Sequence, residues 1–238
     1  MKLVYRGMLG FALFSIVTNS YALALRSFVA MPINKNGLVL RGINAINLNN
    51  GTNNLNGEAG YGLTAKQTIF ATLIKPGLGQ ARGDLSLFDR IIVWQQDQKE
   101  GTNRFGLLIG PVVPMNDNTD GGVQGGGVAS FYYMRNEVDI DAIWSQGFGR
   151  SPNTAQYDIS WQYRIYPAVY PEWGLGSSVN TVLEFNGSYK ESNATVQEAT
   201  AGLQWVNPTW IVEGGFIRDI ANGPHQTTLM LSVRAHIF

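Results

Sequence analysis

Residues Ala155–Ile165 read AQYDISWQYRI. Tyr157, Ile159, Trp161, Tyr163 and Ile165 alternate with Gln156, Asp158, Ser160, Gln162 and Arg164. One set is apolar or aromatic and the other polar or charged. Successive side chains of a strand point to opposite faces, so this period of two predicts a strand with one greasy and one wet face. A soluble sandwich strand alternates in the same way. What decides between the two is the recurrence of the pattern to the end of the chain, behind an export signal.

The signal occupies residues 1–24. Lys2 and Arg6 form a positive start, Gly7–Val17 is a short apolar run, and Ala22-Leu23-Ala24 is an A-x-A cleavage site. The run is shorter than the roughly 20 residues a membrane-spanning helix needs. The mature chain is expected to begin at Leu25. Leu25–Asn36 contains Pro32 and fits no strand template. It reads as a pre-barrel segment, either at the periplasmic side or folded into the lumen.

From residue 37 to 238 the sequence predicts an all-β fold. It is expected as an antiparallel transmembrane β-barrel of twelve strands in the bacterial (Gram-negative) outer membrane. The strands fall at about 37–47, 57–63, 67–74, 83–94, 103–113, 123–133, 137–147, 155–166, 177–190, 194–206, 209–219 and 226–238. Thr64–Lys66, Met134–Asn136 and Asn207–Pro208 are short connections. Asn47–Asn56, Lys75–Arg82, Pro114–Gly122 and Gly147–Thr154 are longer and rich in turn formers. Short periplasmic turns, longer outer loops and an even strand count are the habit of outer-membrane barrels. Gln95–Thr102 and Pro167–Gly176 are long for the periplasmic side. With these directions Trp94, Trp161, Tyr163, Trp205, Trp210 and Phe238 gather near the periplasmic end, as an aromatic girdle at a membrane–water boundary would. Outer-membrane lipid is the expected surrounding. The barrel-assembly machinery is an expected partner, met through the last strand and its final Phe238.

Several phrases carry a family resemblance: FVAMPINKNG, YGLTAKQTIF, GDLSLFDR, SWQYRIYP, YPEWG and the closing FIRDIANGPHQTTLMLSVRAHIF. From about Ser27 to Phe238 the chain resembles the phenol-degradation meta-pathway (MetA-type) outer-membrane protein family, whose members are often described as transporters. The resemblance implies a barrel with a part in solute passage. It transfers no catalytic or ligand residue, and the solute stays unknown.

Composition narrows the chemistry. Net charge is zero and no basic stripe is present, which argues against nucleic acid. With no cysteine there is no disulfide scaffold and no thiolate metal site. No cofactor, metal or catalytic residue is assigned. Two weak constellations stand out. Asp219 and His225 in the last outer loop could activate water, which would make the chain a barrel enzyme. Asn116–Gly121, NDNTDG, begins like a calcium loop, but Gly127 stands where the closing Glu belongs. Gly125-Gly126-Gly127 reads as a close-packed strand. A third reading is a closed structural or adhesive barrel.

The inward set is then the functional candidate. Asp139, Asp141, Asp158, Arg164, Glu184, Glu198, Glu213 and Arg234 are expected to face the lumen. Glu58, Asp84, Glu137, Arg90 and Arg104 join them, with Arg41 and Arg218 less firmly placed. Asp139 is expected roughly opposite Arg164, and Glu184 nearly opposite Glu198. Acids outnumber bases, which predicts a weak preference for cations in any open pore.

Overall fold

The computed structural model describes residues 25–75, 84–115, 120–169, 176–191, 193–222 and 225–237. The export signal (1–24), most of the Asn116–Gly121 loop, the Asp84 side chain and Phe238 lie outside the described residues. Twelve strands follow in order: β1 (Leu38–Asn47), β2 (Asn53–Gly62), β3 (Gln67–Lys75), β4 (Asp84–Gln98), β5 (Gly101–Pro114), β6 (Gly122–Tyr133), β7 (Asn136–Gly147), β8 (Thr154–Tyr166), β9 (Ser178–Lys190), β10 (Val196–Val206), β11 (Trp210–Ala221) and β12 (Thr227–Ile237). Each pairs antiparallel with the next, and β12 returns to β1, so the sheet closes as the alternation predicts. Closure leaves no strand edge with unpaired backbone groups.

The two ends of the barrel differ. At the end holding the start of β1 and the end of β12, the turns include Lys99–Glu100 and Met134–Arg135, each of two residues. Gln95–Thr102 is not the long turn expected. The ladder continues through Gln95↔Arg104, Gln96↔Asn103 and Asp97↔Thr102, helped by a 2.6 Å bond from Thr102 Oγ1 to Asp97. Only the β8–β9 connection is long at this terminal end.

The outer surface is apolar. Ile109, Leu203, Phe216 and Val233 are each more than half exposed. Trp94 has the wrong parity to share a face with Leu85, Leu87 and Ile91, yet it lies outside. A bulge between Ile92 and Trp94 adds one residue to β4, so both Val93 and Trp94 are exposed and Trp94 stands opposite Phe105.

The inside is not simply polar. Phe88, Ile92, Leu108, Val128 and Ile143 point inward and enclose Ala30, with Phe28 and Phe70 packed on them. Ile43, Val182, Ile217 and Met230 enclose Leu25. These wall residues stay dry because the segment preceding β1 is folded into the lumen, the second of the two placements its sequence allows. Leu25, Val29 and Ala30 are essentially fully buried, with burial of each larger side chain stabilising by roughly 1.5–3 kcal/mol. The wall makes room where it must. A Cβ on Gly62 would stand 2.1 Å from the Asn34 carbonyl oxygen, and one on Gly202 would stand 2.6 Å from Leu25.

A candidate site inside the barrel

The lumenal segment has no strand partner, so side chains of the wall must satisfy its backbone. Successive residues of an extended chain turn their backbone groups to opposite sides, and the wall is built to match. The amides of Arg26, Phe28 and Ala30 donate to Glu184 on β9 (3.1 Å), Asp141 on β7 (2.7 Å) and Ser130 on β6 (2.7 Å). On the other side, the Leu25 carbonyl accepts from Arg41 of β1, and those of Val29 and Met31 accept from Arg90 of β4. Further along, the Ile33 amide donates to Thr68 on β3 at 3.1 Å. Two arginines and two carboxylates of the wall thus act on main chain rather than on each other.

The charged side chains form three groups. In the first, Arg26 donates to Glu198 at 2.6 Å while its amide holds Glu184. Glu184 and Glu198 stand two residues from a direct pairing, close to the near-opposition the sequence suggests. Their register partners are Thr200 and Asn186, and Arg26 holds both carboxylates. In the second group, Glu213 on β11 accepts from Arg41 (2.8 Å), Arg234 (3.1 Å) and Ser232 (2.9 Å), with Gln204 at 3.0 Å. Arg41 also reaches Glu58 at 3.3 Å.

The third group is the acid column of β7: Glu137, Asp139 and Asp141, all buried and inward. Asp139 does not pair with Arg164. The Gly147–Thr154 hairpin closes with Ser145 opposite Thr154, which sets Asp139 across from Ser160 and Asp141 across from Asp158. The slip from the expected register is four residues, an even number, so every face is kept while the partners change. Asp139 instead accepts from Ser130 and from Gln162 (3.0 Å). Asp158 accepts from Asn186. Arg164, buried at the terminal end, donates to the Tyr132 hydroxyl and the Met134 carbonyl, both at 3.3 Å.

Arg218 is on the outer face, where it donates to Thr227 at 2.7 Å. Arg104 points inward near the terminal end and donates to Gln95 at 3.1 Å. Asp219 accepts from the Gln226 amide at 3.2 Å, which makes it a brace of the β11–β12 hairpin. His225 beside it is an exposed loop residue with φ of 55°. Of the NDNTDG loop, Asp120 accepts from the Arg150 side chain (2.7 Å) and amide (2.8 Å). These bonds, chiefly the guanidinium contact, hold the Asp120 carboxyl down to about 2.

The outer aromatics form linked pairs at the level of the short turns. Trp205 and Trp210 meet edge to face with centroids 5.0 Å apart, and Trp161 lies 6.1 Å from Tyr163. Trp161 donates to Asn136 at 3.2 Å, and the Arg135 guanidinium covers Tyr163 at 4.6 Å. Trp161 and Tyr163 thus keep an apolar body outward and a polar contact at the rim.

Two spaces adjoin the segment. One, of about 370 Å³, occupies the half of the lumen away from the terminal end, between Asn54, Gln156, Thr228 and the Arg26–Glu198 pair. The other, about 80 Å³, lies between the segment and strands β12 and β1–β4. The segment was legible only in part from sequence. The inward glycines Gly60, Gly62 and Gly202, and apolar residues such as Leu108 at inward positions, were the available signal that something packs inside.

This closed barrel has the fold of a solved porin. The chain superposes on the NanC porin with a TM-score of 0.55 at 10% identity, over 82% of this chain and 98% of that one. OccK11 (OpdR) of Pseudomonas aeruginosa aligns with a TM-score of 0.44, also at 10% identity, over 84% of this chain and 67% of that one. No protein-family model and no curated protein sequence matches the chain. The likeness to NanC is one of fold.

Proposed function

We propose that the chain is an outer-membrane β-barrel that passes or binds a small solute, held closed at rest by residues 25–37. The observation that carries this reading is the pairing of an apolar outer belt with a charged lumen whose main obstruction is a strap rather than the wall. Water offers no reason to expose Ile109, Leu203 and Phe216 together, whereas lipid does. The girdle and the short turns share one level, which supports that end as the periplasmic one and the 370 Å³ space as the outer vestibule. The same proposal keeps the chain with the MetA-type family its sequence resembles, and keeps β12 as the strand presented to the barrel-assembly machinery.

The strap is held by hydrogen bonds and ion pairs that can exchange with water and by the burial of Leu25, Val29 and Ala30, while the barrel is held by a continuous closed ladder of twelve strands. Strap movement is therefore the low-cost route to an open lumen. Reconstitution of the mature protein in a planar bilayer tests the reading. Rare openings in the parent and frequent ones after Arg26→Ala are expected. A barrel silent in both forms would support the structural or adhesive alternative.

A further inference from the structure

The 80 Å³ space beside the segment is lined by a buried arginine that has no ion pair among the described residues. Its lining includes Val39, Ile33 and Phe70, together with Arg90 and Arg234. Arg90 is 2% exposed, and among the described residues no carboxylate forms an ion pair with it. Its terminal nitrogens hold the Val29 and Met31 carbonyls, its guanidinium carbon lies 4.5 Å from the Phe70 centroid, and its Nε has no hydrogen-bond partner. Arg234 is 3% exposed. One of its nitrogens meets Glu213, and Nη1 has no partner. Glu213 pairs with Arg41 and Arg234 and Glu58 with Arg41, while Asp139, the carboxylate that acts on Arg90, does so without an ion pair to it.

A buried guanidinium is costly unless an anion or a full set of acceptors meets it. Carbonyls and an aromatic face supply part of that. What remains is an unfilled donor on each of Arg90 and Arg234, in a cavity of mostly apolar lining whose other polar groups include Arg41, Glu58 and His236. The volume limits the rest: a cavity of about 150 Å³ takes benzene, and this one is about half that.

We propose that this cavity binds a short-chain monocarboxylate, with its carboxylate on Arg90 and Arg234 and its alkyl part against Val39, Ile33 and Phe70. The proposal rests on the reading of the barrel as a solute-passing or solute-binding protein and names the solute class. The bound carboxylate competes with the Val29 and Met31 carbonyls for Arg90, so the same guest loosens the strap.

Titration calorimetry on the folded mature protein in detergent, at fixed ionic strength, tests it with sodium propionate, 1-propanol and sodium chloride. Saturable propionate binding is expected, at least about tenfold tighter than either control, since a hydrogen bond to a charged group contributes about 1.5–3 kcal/mol. Arg90→Met should weaken it by a similar factor. Val39→Phe, which fills the cavity and leaves every arginine in place, should abolish it, and it decides the matter if Arg90→Met does not fold. Equal binding of propanol would mean an apolar hollow, and equal binding of chloride an inorganic anion site. Propionate binding unchanged in Val39→Phe would place the guest elsewhere. Each of these overturns the proposal. Conductance is recorded on the same preparations, so a barrel that conducts but does not bind propionate sinks this inference alone.

Discussion

Arg26 of the lumenal segment donates to Glu198 of β10 at 2.6 Å, and through its amide it also holds Glu184 of β9 at 3.1 Å. One residue thus turns two wall carboxylates, which would otherwise repel, into a seat for the strap. Arg26→Ala should lower the free energy of docking by about 1–2 kcal/mol, because the pair is partly exposed and worth less than a fully buried one. That is roughly a five- to thirtyfold rise in the open-to-closed ratio. Single-channel recording reads it directly, and an unchanged open probability would mean that Arg26 does not hold the strap.

The wall itself can be mapped by spin labelling, since the chain has no cysteine to compete. Labels at 159 and 161, which are 44% and 39% exposed, should be accessible to oxygen and shielded from polar relaxants. Labels at 158, 160 and 162 should show neither lipid contact nor free solvent. The reverse pattern would mean that the belt faces water.

Much of this was legible in the sequence, and the reason is parity. A strand's faces survive any error of two residues in its ends, so Asp158 and Arg164 could be assigned inward from AQYDISWQYRI alone. Partners do not survive such an error. Asp139 faces inward as expected, but its neighbour is Ser160, because hairpin register depends on how Gly147–Thr154 closes and not on alternation. Trp94 shows the converse: its parity pointed inward, and only the bulge at Val93 carries it out. The strap's placement is not legible there, since its docking uses main-chain amides and carbonyls, which every sequence possesses.

Ion preference should follow the inward set. Glu58, Glu137, Asp139, Asp141, Asp158, Glu184, Glu198 and Glu213 face Arg26, Arg41, Arg90, Arg104, Arg164 and Arg234, so an open pore should weakly favour cations. Joint Glu184→Gln and Glu198→Gln replacement should both reduce that preference and raise the open probability, as these residues also seat Arg26. The reversal potential across a salt gradient and the open time give two separate readings. Anion preference in the parent would show that these carboxylates do not set the field.

The bond between Asp120 and Arg150 joins two loops at the end opposite the short turns. The Asp120 carboxyl is depressed to about 2 by Arg150, below the ordinary value near 3.9, so the bond's contribution is complete above that ordinary value and fades as pH falls through about 2. Carbon chemical shifts of Asp120 should titrate near pH 2, and Arg150→Gln should return the midpoint toward 3.9. A midpoint already ordinary in the parent would mean that the loops are not joined in solution.

Arg41 stands on the first strand. It reaches Ser232 of the last strand at 3.0 Å, Glu213 of the one before, and the Leu25 carbonyl inside. The full set of partners of this guanidinium exists only when the seam between the first and last strands is shut and the segment is inside, so one side chain ties the closure of the wall to the occupancy of its interior.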